Sequence, residues 1–259
     1  MKIGIFGLGQ MGSAMIRGYL RTNTLRPTDV LVKGGRSQTA KKVSDALGLT
    51  LIDNLTELAE ASLILIATNP ASVLSVLESL PEEVTANRIP IVSVAGGVSL
   101  DEMGAVLGAD YPLAHSIPNT AVEVNQGVLG IAYAEKISAD AKKTISELLT
   151  PLGRLFETQE DTLGVIGSVG GSAPAFVDVF IEALSDAAVL YGIDRKSSYQ
   201  IVEQMIKGSA ELALETGKHP AELKDGVTSP GGTTIKGIAA LEANGFRHAV
   251  IEAVKQTMS

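Results

Sequence analysis

The sequence predicts an α/β protein in two parts, a doubly wound, mostly parallel sheet over residues 1–160 and an all-helical segment over 161–259. Three observations predict it. Short apolar runs alternate with helix-period segments through the first part. Some of those runs, such as Ile64–Ile66, are apolar without a break, as strands buried on both faces require. Beyond Asp161 the strand signal disappears.

In chain order, Lys2–Phe6, Asp29–Lys33, Leu49–Ile52, Ser62–Thr68 and Ile89–Val94 read as strands. Gln10–Arg21, Ser37–Leu47, Leu55–Glu60, Ala71–Leu80 and Leu100–Leu107 read as the helices that follow them, which indicates βαβ units. Strands near Tyr111–Ser116, Gly127–Tyr133 and Arg154–Glu157, with a helix over Ala139–Leu149, complete the sheet. The Gly/Ser patch Gly167–Pro174 then opens a run of helical patterns: Pro174–Tyr191, Lys196–Thr216, Pro220–Asp225, Ile235–Ala243 and Arg247–Met258. The first of these is apolar over most of its circumference, with Phe176, Val177, Val179, Phe180, Leu184 and Leu190 on a wide arc. Such a helix needs partners on several sides, so the second part is expected to form an obligate homodimer, or a higher homo-oligomer built on one.

Composition removes several function classes. The net charge is −8, and no basic block exceeds Lys41-Lys42 or Lys142-Lys143, which argues against a nucleic-acid partner. There are no cysteines, so disulfides, thiolate nucleophiles and cysteine-ligated metals are excluded; a reducing cytoplasm is the expected location. The N-terminal apolar run is too short for a signal peptide. The most apolar long stretch, Pro174–Ile193, carries Asp178, Glu182 and Asp186, which would be costly in lipid, so no membrane is expected. Those carboxylates lie four apart on one helical face with no histidine at that spacing. A solvated or interface face is the expectation, not a metal site.

Gly7-Leu8-Gly9-Gln10-Met11-Gly12 is a G-x-G-x-x-G between the first strand and the first helix. Gly7 permits the tight turn, Gly9 lets backbone approach a pyrophosphate, and Gly12 allows helix to pack on strand. That context makes the first part a Rossmann-type dinucleotide domain. NAD enzymes usually end the second strand with an acid for the ribose 2′-hydroxyl. Here Val32-Lys33-Gly34-Gly35-Arg36-Ser37 has none, and Arg36 with Ser37 suits a 2′-phosphate. NADPH is the expected cofactor, with NADH the alternative. A second motif, Val227-Thr228-Ser229-Pro230-Gly231-Gly232-Thr233-Thr234, precedes a helix. Pro230-Gly231 is set for a turn with a left-handed residue, and the N–H groups of Gly232, Thr233 and Thr234 then face a small anion.

With these residues in view, the chain resembles pyrroline-5-carboxylate reductase over nearly its full length. The resemblance is carried by VTSPGGTTIKGIAALEANGFR (Val227–Arg247), the preceding HPAELKDG (His219–Gly226), Gly171–Phe176, Pro118-Asn119-Thr120 and Ala95-Gly96-Gly97. It implies hydride transfer from NADPH to the imine carbon of 1-pyrroline-5-carboxylate, giving proline. It also implies cofactor contacts at Asn54, Ala67, Thr68, Asn69, Pro70, Ala95 and Gly96. Gly231, Gly232, Thr233 and Thr234 are expected to hold the substrate carboxylate; the Thr234 hydroxyl would meet the ring nitrogen, with Ser229 supporting the loop. There are departures: Asn69 stands where the family has a lysine near the cofactor phosphates, His115 where it has an arginine, and Ile117 where it has a methionine. Ala173 and Phe176 replace a glycine and a tyrosine. Of the histidines, His219 reads as structural, and His115 and His248 as packing or surface residues. Two rivals remain. A β-hydroxyacid dehydrogenase shares the glycine motif but needs a lysine that Gly167–Phe176 lacks. A catalytically silent NADP-binding sensor would fit Asn69 but not the intact Ser229–Thr234 loop.

Overall fold

The computed structural model describes residues 1–35 and 37–258; Arg36 and Ser259 lie outside the described residues. The chain divides into two compact units, Met1–Gly171 and Ser172–Ser259. The first contains β1 (Ile3–Phe6), α1 (Gln10–Arg21), β2 (Val30–Lys33), α2 (Thr39–Leu47), β3 (Thr50–Leu51), β4 (Leu63–Ile66), α3 (Val73–Glu78), α4 (Glu82–Ala86), β5 (Ile91–Ser93) and α5 (Leu100–Leu107). It continues through β6 (Leu113–Pro118), β7 (Gly127–Tyr133), α6 (Ala139–Leu149), β8 (Gly153–Glu157) and α7 (Glu160–Ile166), ending in a π-helical turn from Gly167.

The strands form one eight-stranded sheet in the order β3-β2-β1-β4-β5-β6-β7-β8, parallel except where β7 runs against β6. Period-2 alternation sends Ile3, Ile5, Val30, Val32, Leu63 and Leu65 into one core, with α1 and α6 covering it. The intervening Phe6, Leu31, Ile64 and Ile66 pack on the other face with Val73, Leu77 and Met103 of α3 and α5. The strand order reverses between β1 and β4, and a crevice opens there beyond the carboxyl ends of the strands.

Two expected helices differ in kind. Leu55–Glu60 is a 3-10 segment capped by Asn54, whose Oδ1 accepts from the Thr56 N–H. Ala71–Leu80 splits into a 3-10 turn, Pro70–Ser72, and the shorter α3. Pro81 then starts α4, an element the sequence did not predict, with Glu82 and Glu83 in its first turn.

Tyr19 of α1 is fully buried in the first core, and among the described residues its hydroxyl has no hydrogen-bond partner. Burial pushes its phenol pKa above the usual range. An unpaired buried hydroxyl costs about 1–3 kcal/mol, so Tyr19→Phe should raise stability by roughly 1 kcal/mol, read from the urea midpoint.

The second unit is helical: α8 (Ala173–Leu190), α9 (Arg195–Thr216), α10 (Pro220–Gly226), α11 (Thr233–Ala243) and α12 (Phe246–Gln256). α8 and α9 form a hairpin clipped by the Ser185 and Ser198 hydroxyls, 2.6 Å apart, with Arg195 reaching Ser185 at 2.7 Å and Asp186 at 2.7 Å. Phe180 and Phe246 join α8 to α12, their ring centres 5.8 Å apart. Little else in this unit is sealed from water. Val202 is its one buried large apolar side chain among the described residues, while Val179, Leu190, Leu212 and Leu214 are more than half exposed. Glu160–Leu190 is long and apolar enough to cross a membrane by length and composition, but its α8 portion carries Asp178, Glu182 and Asp186.

Candidate active site

The glycine-rich turn joins β1 to α1 at the β1/β4 reversal. Gly7 has φ +89, and a Cβ there would lie 2.7 Å from the Ala67 carbonyl oxygen. Only glycine fits such a turn against β4. At Gly12 a Cβ would lie 2.4 Å from the Gly7 oxygen, so this position too is closed to side chains. Gly9 is the opposite case: nothing lies within 4 Å of where its Cβ would be. That space is the room a pyrophosphate needs. Leu8 is buried and anchors the turn, while Gln10 is exposed at the helix start. The first-turn N–H groups, those of Gln10, Met11 and Gly12, have no intrahelical partner, and no acidic residue stands there to compete.

Around the turn, a cleft of about 330 Å³ is lined by Gly7, Lys33, Gly34, Gly35, Thr68 and the serines Ser72, Ser75 and Ser79. The Thr68 hydroxyl is buried without a partner among the described residues. An orphaned hydroxyl, an open glycine and an unopposed helix start fit a dinucleotide. Ala67 donates its N–H to Phe6 and so fixes the β4 end beside the turn. Asn69 is exposed and precedes Pro70, its side chain uncapped. Ala95 is buried and bonded to Ser93 Oγ at 3.3 Å, and Gly96 follows it, exposed. Asn54 uses its Oδ1 on Thr56, which leaves only its amide nitrogen for a ligand. α2 begins at Thr39 with Gln38 as its cap residue, so Ser37 sits outside the helix, where it lines a second cleft. The expected contact at Arg36 falls outside the described residues.

In the second unit, Ser229-Pro230-Gly231-Gly232 forms the expected turn. The Gly232 N–H donates to the Ser229 carbonyl at 3.0 Å, and Gly231 has φ +72. A Cβ on Gly232 would fall 2.4 Å from Ser229 Oγ, so serine and glycine pack as a pair. α11 starts at Thr233 with Gly232 as cap residue. The turn therefore engages the Gly232 N–H, and the unpartnered donors are those of Thr233, Thr234 and Ile235, one residue further on than the sequence suggested. Thr233 and Thr234 are exposed.

Sequence reasoning missed three features. The buried His115 places Nδ1 3.0 Å from Glu160 Oε1, an oxygen that also accepts from the Leu100 N–H. Asn119, known in the sequence only as part of a motif, donates to the Gly170 carbonyl at 2.8 Å and accepts from Val128, holding the π-helical turn against β7. Lys33 donates to the Asp53 carbonyl at 2.8 Å. Each joins residues distant in sequence, so no local signal announces it. His219 caps α10, its Nδ1 accepting from the Ala221 N–H. A cleft of about 500 Å³ between α5 and β7 contains none of the expected site residues.

Residues 160–259 match the family model for pyrroline-5-carboxylate reductase dimerisation, and residues 2–97 match the model described as NADP oxidoreductase coenzyme F420-dependent. The pyrroline-5-carboxylate reductase of Methanosarcina acetivorans is 35% identical, the match covering 98% of this chain and 94% of the relative. That of Escherichia coli is 34% identical, over 99% and 96%. The crystal structure of Plasmodium falciparum pyrroline carboxylate reductase with NADP bound superposes with a TM-score of 0.83 at 29% identity, covering 100% of this chain and 95% of that one. The Coxiella burnetii reductase gives 0.88 at 27%, over 99% and 96%. The chain belongs to the pyrroline-5-carboxylate reductase family.

Proposed function

We propose that the chain reduces 1-pyrroline-5-carboxylate to L-proline with NADPH, the last step of proline biosynthesis. Residues 1–160 bind the cofactor; residues 161–259 bind the substrate and form the dimer. The observation that carries the reading is the Ser229–Gly232 turn, which ends in a helix start with free N–H donors and no charged side chain of its own. Such a site suits a small carboxylate.

When bound, NADPH supplies a hydride to the imine carbon, and the products are proline and NADP⁺. The protonated imine is already an electrophile, so alignment matters more than a strong acid. The Thr233 and Thr234 N–H groups, shaped by Gly231 and Gly232, hold the carboxylate. The Thr234 hydroxyl hydrogen-bonds the ring nitrogen, and Ser229 keeps the turn. The first-turn amides of α1 take the pyrophosphate, the Thr68 hydroxyl finds its partner on the cofactor, and Asn69 gives a neutral donor where a lysine is usual. Ser37 would offer its hydroxyl to the 2′-phosphate, a group for which the sequence also assigns Arg36. A second copy covers the apolar helices: each large side chain buried there contributes about 1.5–3 kcal/mol, and a unit with so little sealed core requires it.

Steady-state assays test this. NADPH oxidation should saturate with pyrroline-5-carboxylate, and 3-hydroxyacids with NADP⁺ should give no turnover. Tight NADPH binding without turnover would instead support a sensor.

A further inference from the structure

We propose that Glu160, steered by the buried His115, is a positioning residue for the nicotinamide half of the cofactor. It fixes the start of α5 and with it the loop through Ala95, Gly96 and Gly97, an inference that rests on reading Ala95 and Gly96 as cofactor contacts. In dinucleotide folds the end of the second strand reads the adenosine ribose, so the nicotinamide half lies on the β4–β5 side of the glycine turn. The loop leaves β5 on that side. Its near end is tied by the Val94 N–H to the Ile66 carbonyl and by the Ala95 N–H to Ser93 Oγ. Gly96 and Gly97 then turn, Gly97 at φ +82, and a Cβ on either would meet nothing within 4 Å. The far end is the α5 start. Ser99 and Glu102 form a capping box there, but both belong to that start and tie it to no other element. Glu160 does so from 60 positions away, its Oε1 accepting from the Leu100 N–H at 2.8 Å.

Met103 of α5 and Leu163 of α7 share one apolar core, but apolar packing has no direction. The hydrogen bond has one, and a carboxylate acceptor makes it strong. An anion also suits the N-terminus of α5, where the helix dipole favours it. His115 keeps it there. The same Oε1 lies 3.0 Å from the His115 Nδ1, and because an ionised carboxylate only accepts, Nδ1 carries the proton. The ring is buried, and among the described residues its Nε2 has no partner, so the bond to Glu160 is the one that orients it. Glu160 itself is only half-buried. It lines the cleft of about 500 Å³ between α5 and β7, open space into which a carboxylate without the histidine would turn.

The test uses the 259-residue chain and its Glu160→Ala, Glu160→Asp, Glu160→Gln and Gly96→Val variants. Titration calorimetry compares NADPH with 2′,5′-ADP, which carries the adenosine half alone. Glu160→Ala should bind NADPH about 5- to 10-fold more weakly, as a lost charge-assisted hydrogen bond would cause, and 2′,5′-ADP as wild type does. Glu160→Asp keeps the charge but is one carbon short of Leu100. It should show the same selective loss, and it carries the comparison if the alanine variant does not fold. Glu160→Gln, whose side-chain carbonyl still accepts, should recover most of the affinity. Gly96→Val fills the open space beside the loop and should weaken NADPH binding at least as much. Where it does, equal weakening of NADPH and 2′,5′-ADP by Glu160→Asp, no weakening of either, or no recovery with glutamine overturns the proposal. Unchanged NADPH binding by Gly96→Val overturns the reading of the loop as a cofactor contact.

Discussion

Gly9→Val should leave the protein as stable as wild type while weakening NADPH binding by at least about 100-fold, a loss near 2.7 kcal/mol. The reason is the emptiness at this position. No atom lies within 4 Å of the Cβ site, and Gly9 has φ −68 and ψ −164, backbone that any residue adopts. The new methyl groups thus cost the fold nothing and fill the space reserved for the pyrophosphate. Gly12→Ala gives the contrast. Its methyl would meet the Gly7 carbonyl at 2.4 Å, so strain falls on the protein and melting temperature drops along with affinity. Thermal melts beside calorimetric titrations separate the two. If Gly9→Val binds NADPH normally, the glycine turn is not where the cofactor lies.

Thr234→Ala should cut kcat/KM for pyrroline-5-carboxylate by about 10- to 100-fold, the effect of one lost hydrogen bond to the reacting ring. The side chain is exposed and its hydroxyl has no hydrogen bond among the described residues, so stability should hold. NADPH affinity should hold as well, and Thr234→Ser should recover most of the rate. Wild-type turnover in the alanine variant removes Thr234 from the chemistry.

What could be read from the sequence follows from the range of the forces involved. The unbroken apolar run in β4 predicted a sheet covered on both faces, because burial on two sides is a local pattern. The G-x-G-x-x-G turn and the Pro230-Gly231 turn were legible for the same reason, since φ preference is written in the residue itself. α4 was not, because at five residues it is too short for a helical period to show. The use of the Gly232 N–H inside its own turn was missed because only coordinates show which donor a carbonyl takes. His115 with Glu160, Asn119 with Gly170 and Lys33 with Asp53 pair residues 45, 51 and 20 positions apart. Nothing in a single sequence announces such pairs. The dimerising face was legible from a helix apolar on too many sides, and the exposure of Val179 and Leu214 in the folded chain agrees with that reading.

A crystal structure of the 259-residue chain with NADP⁺ and L-proline tests the reductase chemistry most directly. The pyrophosphate should lie over Gly9, and the proline carboxylate should accept from the Thr233 and Thr234 N–H groups. The proline ring carbon next to nitrogen that does not bear the carboxylate should stand roughly 3.5 Å from the nicotinamide, the separation of a hydride donor and acceptor about to react. Proline bound away from the α11 start, or far from every nicotinamide in the assembly, would contradict it.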